Sequence, residues 1–174
     1  MFDATENLDG FVRVSSCLKA CAVNLSKMCN DLRILASGPK AGFGEITLPA
    51  MQNGSSIMPG KVNPVIPEVV SQVAFHIIGH DVTITMAAEA GQMELNAFEP
   101  VVFYNLFDSI STLTHAVDTL TDNCIIVITA NEERCQKLLL KHRLMKEKQL
   151  DVVLDPDAMT EAAKTRKTIC LSRS

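Results

Sequence analysis

The 174 residues are 47% hydrophobic, enough to build one domain with a sizeable core and too few for two ordinary ones. Sixteen basic against twenty acidic side chains give a formal charge of -4, and neither sign is gathered into a block, which argues against a nucleic-acid partner. The longest apolar runs, VVSQVAFHII and NCIIVIT, stop short of the roughly 18–20 residues that a membrane-spanning helix needs, so the sequence predicts a soluble protein with no membrane partner.

The opening residues, MFDATENLDG, are acidic from the third position and lack the basic segment, apolar run and cleavage site of a secretory leader, so a cytoplasmic location is expected. Over residues 8–35, apolar side chains recur at Phe11, Val14, Leu18, Cys21, Leu25, Met28, Leu32 and Leu35. These steps of three and four predict one long amphipathic helix. Ser37, Gly38 and Pro39 end it, and GPKAGFGEITLPAMQNG reads as an irregular connection.

A polar segment, GSSIMPGKVNPVIPE, occupies residues 54–68. Beyond it Asn63 and Pro64 have the character of an N-cap and a first helical residue, and Pro67 still falls where no helical amide bond is lost. The helix so begun continues through EVVSQVAFHIIGHDVTITMAAEA, with Gly79 as a place where it could bend. Its apolar residues nearly encircle it, as in a core helix. GQMELNAFEP breaks the pattern, and Pro100 fits the start of a further helix running to about residue 128. TANEERCQKLLLKH, with a threonine or asparagine cap and acids in its first turn, predicts another. The remainder, from Met145, reads as two short helices and a frayed tail. No stretch alternates between hairpin turns and none repeats, so the fold class is all-α, a bundle of long helices.

Within the polar segment, Gly54 and Gly60 permit backbone conformations closed to other residues. Ser55, Ser56, Lys61 and Asn63 add hydroxyls, a cation and an amide. Such a loop could fold over an anion, with Lys61 as charge partner and the following helix N-terminus supplying free amides. A solvated connector has the same composition, and composition does not choose between them.

The order of residues says more. GSSIMPGKVNP resembles the signature segment of the aspartase and fumarase superfamily, enzymes that add or remove a group across the double bond of fumarate or a related acid. The likeness extends over residues 5 to 136. MAAEAGQMELNAFEP, with Glu99 before its proline, is similar to the aspartate ammonia-lyase branch more than to the fumarases. The resemblance implies a central helical bundle domain over residues 1–136 and a shortened C-terminal helical region over 137–174. It also implies a homotetramer with no cofactor and no metal, acting on a small dicarboxylic amino acid, L-aspartate. Ser55 would be the catalytic base. Lys61 and Asn63 would bind the substrate carboxylate, Ser56 and the backbone near Met58 would hold the negative oxygens, and Glu68 would orient a histidine from another segment. The segment as a whole would close over the substrate as a lid.

In the family the site is completed by a histidine motif and a threonine and serine motif, neither of which occurs in these 174 residues. After Gln136 the family's next helix is also missing, and KHRLMKEKQLDVVLDPDAMT resembles its last small region joined directly on. Three readings therefore stand: a fragment of an aspartate ammonia-lyase, a helical assembly protein without activity, and a related lyase such as fumarase or argininosuccinate lyase.

The other constellations are blander. Six cysteines in an apolar chain read as free thiols, and Cys17 with Cys21 would need two more ligands to hold a metal. His76 and His80 have the i, i+4 spacing of two ligands on one helix face, but the sequence places no third ligand with them, so they read as solvated or satisfied helix histidines. Glu89, Glu94 and Glu99 are spaced round a helix rather than paired, and the lysines and arginines of 137–148 form a solvated face.

Overall fold

A computed structural model describes residues 6–38, 41–54, 57–58 and 62–154. Pro39, Ser55, Ser56, Pro59, Gly60, Lys61 and the tail from residue 155, including the end of its expected short helices, lie outside the described residues. The chain divides into two compact units, Met1–Ala130 and Asn131–Ser174. The reason is local. Asn131 accepts the Arg134 amide on its side chain at 3.2 Å and the Cys135 amide on its carbonyl, and so opens a new helix at the boundary.

The first unit contains α1 (Asp9–Leu35), β1 (Ile46–Thr47), α2 (Val65–Glu89), α3 (Glu99–Asn123), a 3₁₀ turn (Ile125–Val127) and β2 (Thr129–Ala130). The three helices run up, down and up, with α2 lying against both neighbours. Three apolar layers fill the seams. One joins Leu8, Ile84, Ala87, Val102 and Leu106. A middle layer joins Ala22, Ala74, Ile77 and Leu113, and the third joins Cys29, Val70, Ala116, Leu120 and Cys124. Each of α2 and α3 buries residues at steps of three and four, so burial rather than intrinsic propensity is what holds these helices.

The expected apolar stripe of α1 is displaced round the helix. Val14 and Met28 are exposed, as is Cys21, whereas Ser15, Ala22, Ser26 and Cys29 are buried, with Leu18, Leu25 and Leu32 at the margin. Small side chains on the contact line let α1 come close to α2, and a partner for Ser15 removes the cost of burying its hydroxyl. The connection after α1 returns on itself so tightly that a Cβ at Gly42 would lie 2.2 Å from the Ser37 carbonyl, a place only glycine can fill.

Helix α2 starts one residue later than the sequence suggested. Pro64 is the N-cap, with φ -77° and ψ 68°, because the Asn63 carbonyl accepts the Val65 amide in a tight turn and no side chain caps the end. The helix runs unbroken through Gly79. At its far end the buried Asn96 donates to the carbonyls of Ala87 and Ala88 and accepts the Phe98 amide at 2.8 Å, tying the end of α2 to the start of α3. Helix α3 stops at Asn123 rather than 128, since Cys124 leaves helical geometry to bury its side chain and Ile128 packs beside it. β2 then pairs antiparallel with β1, Thr129 opposite Thr47, a ladder too short to leave an alternation in the sequence.

In the second unit α4 (Glu132–Leu154) is one helix, where the sequence suggested a break and a short helix from Met145. Glu132 and Glu133 occupy its first turn, and Lys137 bonds Glu133 one turn on.

Candidate functional site

The polar segment leads straight into the N-terminus of α2. No side chain caps that first turn, but Val65 and Glu68 give their amides to the carbonyls of Asn63 and Pro64 and Pro67 has none, so the turn offers the positive end of the helix dipole more than free amides. Of the residues implied by the resemblance, Met58 is half-exposed, Asn63 is half-buried at the turn into α2, and Glu68 stands on the first turn of that helix. Glu68 Oε1 is 3.4 Å from Arg33 Nη2 on α1, an exposed and long ion pair. Ser55, Ser56 and Lys61 lie outside the described residues.

Two polar clusters further along α2 were not assembled by the sequence. Asp81 is 3% exposed and faces α1. Ser15 Oγ donates to its Oδ1 at 2.7 Å, Ser16 Oγ approaches the same oxygen at 3.5 Å, and Lys19 Nζ donates to Oδ2 at 2.5 Å. Burial pushes the Asp81 carboxyl up, but the hydrogen bonds from Lys19 and Ser15 outweigh it and hold the group below its ordinary value. The available signal was a lone carboxylate in an apolar helix, which requires partners wherever it is buried.

The second cluster faces α3. His76 Nε2 is 3.2 Å from Asp108 Oδ2, His80 Nδ1 is 3.8 Å from that same oxygen, and the two imidazoles lie 4.0 Å apart. Ser109 Oγ, 3.0 Å from His80 Nδ1, donates its own proton to the Asn105 carbonyl. His80 is therefore a satisfied helix histidine, as expected where the sequence placed no third ligand, but Asp108 joins the pair as a third polar group across the seam. Burial first, then the neighbouring His76, lower the His80 pKa, while Asp108 opposes them. Only the contact between α2 and α3 brings residues 76, 80 and 108 together, which is why the sequence alone did not group them.

A family model described as lyase matches residues 1–79. An aspartate ammonia-lyase from a Bacillus species is 58% identical over 141 residues, 81% of this chain and 30% of the relative. Among solved structures, the fumarate lyase:delta crystallin from Brucella melitensis bound to cobalt matches with a TM-score of 0.75 at 55% identity, covering 78% of this chain and 29% of that one. The recombinant class II fumarase from Schistosoma mansoni matches with a TM-score of 0.76 at 38% identity, covering 78% and 28%. With its signature segment placed at the head of the central helix of such a bundle, the chain belongs to the aspartase and fumarase superfamily of lyases. It spans about 30% of the length of the aspartate ammonia-lyase from Bacillus. Among the described residues no helix is long and apolar enough to cross a membrane.

Proposed function

We propose that this chain is the serine-loop portion of an aspartate ammonia-lyase, contributing to the reversible conversion of L-aspartate to fumarate and ammonia. The observation that carries this reading is the 58% identity over 141 residues, a length that cannot avoid residues 54–68 in a chain of 174. In this reading Ser55 takes the proton from the carbon beside one carboxylate, and the electron pair collects on that carboxylate as an enolate-like dianion. Its return forms the carbon–carbon double bond and expels ammonia from the adjacent carbon. Lys61 and Asn63 bind the carboxylate, and Ser56 and the Met58 backbone donate to the oxygens on which charge builds. The uncapped start of α2 suits the same anion. Glu68 is a positioning residue, aimed at a histidine that the remaining segments of the family's site supply.

That site is shared between subunits in the family, and the outer faces of α2 and α3 support association into a homotetramer. Phe75, Met86, Tyr104 and Phe107 are each more than 60% exposed on them, a waste of apolar surface unless a copy covers it. Free thiols at Cys17, Cys21, Cys29 and Cys124 fit a cytoplasmic location. The same apolar faces favour a second reading, a helical assembly protein that associates with its relatives and has no activity.

Mixing the chain with an amino-terminal segment of a homologous aspartate ammonia-lyase, and following fumarate absorbance with L-aspartate and separately with L-malate, separates these readings. Activity on L-aspartate is expected in the mixture and its loss in Ser55→Ala. An active Ser55→Ala mixture would remove the base assignment, preference for L-malate would move the chain to the fumarases, and a tetramer without turnover would favour the assembly protein.

A further inference from the structure

We propose that His76, His80 and Asp108 form a site for one divalent transition ion of the zinc class, bridging α2 and α3. The two histidines sit one turn apart on the same face of α2, and Asp108 comes from the facing turn of α3. One ligand atom from each of the three lies within 4.8 Å of the others, with Asp108 Oδ2 at 3.2 Å from His76 Nε2 and 3.8 Å from His80 Nδ1. A tetrahedral ion with bonds of about 2.0–2.2 Å holds its ligand atoms roughly 3.3–3.6 Å apart, so small side-chain movements close the site.

The donor set selects the ion. Two imidazoles favour zinc, cobalt, nickel or copper, whereas calcium and magnesium prefer oxygen donors throughout. Three protein ligands leave a position for water. An ion taking His80 Nδ1 displaces the proton that this nitrogen shares with Ser109 Oγ at 3.0 Å, while the Ser109 hydroxyl keeps its bond to the Asn105 carbonyl. In the single chain exposure rises across the cluster, from 11% for the His80 side chain to 33% for Asp108 and 56% for His76, so an ion reaches it there from the His76 side. This site uses none of the residues of the polar segment, and its existence does not depend on the lyase reading.

The alternative is a histidine and carboxylate that pair only with each other. Zinc retention against a chromophoric chelator, measured on the full chain and on His76→Gln and Asp108→Asn, decides between them. Both altered residues are partly exposed, so the variants keep the fold, which circular dichroism checks, and the exposed thiols are common to all three proteins. The native chain should retain one zinc at least about tenfold more tightly than either variant, since even outer-contact losses cost about that much. Zinc should also raise the melting temperature of the native chain alone. Equal retention in all three proteins, or a melting temperature that zinc does not move, would overturn the site.

Discussion

Residues 80 and 81 are adjacent on α2, yet they serve different seams, and the two seams are built on different principles. Toward α1, Asp81 is closed in by Ser15, Ser16 and Lys19, so a buried charge has donors on both oxygens. Toward α3, His80 meets a hydroxyl, a second imidazole and a carboxylate that is one-third exposed. The α1 residues fully buried in the first seam are small, Ser15, Ala22, Ser26 and Cys29, flanked by Leu18, Leu25 and Leu32, and a charge bound at one point adds register to that packing. The second seam buries Val102, Leu106 and Leu113 together with Asn105 and Ser109, and of its polar groups it is His76 and Asp108 that reach solvent.

The largest break in that contrast comes from Asp81→Ala. It leaves the Ser15 hydroxyl buried without its acceptor, while Lys19, 41% exposed, returns to water. We expect a loss of about 3 kcal/mol in urea unfolding. A loss below about 1 kcal/mol would mean that apolar contacts alone hold α1 in register. His80→Leu, in metal-free buffer, should cost only about 1 kcal/mol, because Ser109 keeps its bond to the Asn105 carbonyl and Asp108 can hydrate. Equal losses at the two positions would erase the distinction between the seams. Smaller still is Gly79→Ala, on the exposed side of α2 between the two clusters, where a new Cβ meets nothing within 4 Å. It should stabilise by about 0.5–1 kcal/mol through the entropy of the unfolded chain, and a destabilised variant would show that this face is not open.

These seams also mark where sequence reading stopped. The long helices were legible because their periodicity and their glycine and proline boundaries are local, and the signature segment because the order of its residues is specific. The contact line of α1 was not, since Ser15 and Ser26 are polar by type and become interior only when α2 covers them. The early end of α3 was hidden because Cys124 and Ile128 continue an apolar pattern while serving a different contact. Asp108 could not be joined to His76 and His80 without the pairing of α2 with α3. Asn96, by contrast, stood within a segment already marked as a break, and its role as the tie between two helix ends is a plausible one for an asparagine there.

Cys29 tests what burial does when, unlike at Asp81, no donors accompany it. Both side chains are closed off from solvent, yet their titrations move in the directions set by their surroundings. Asp81 is held down by its hydrogen bonds against the effect of burial, whereas burial, and then the neighbouring Cys124, push the Cys29 thiol from 9.0 up to about 11, with Arg33 pulling the other way. Between those values the unfolded chain has given up a proton that the folded chain still holds, so rising pH favours unfolding. The contribution of the neutral thiol is thus complete below pH 9.0 and disappears as pH climbs through about 11. Near neutral pH, Cys29→Ala should be the less stable protein, because it leaves a small gap in the layer with Val70 and Leu120. The gap in melting temperature between the two should then narrow as pH rises through that window. A gap that stays constant throughout would mean that Cys29 reaches water in the folded chain, and that this end of the three-helix unit is open where the Asp81 seam is closed.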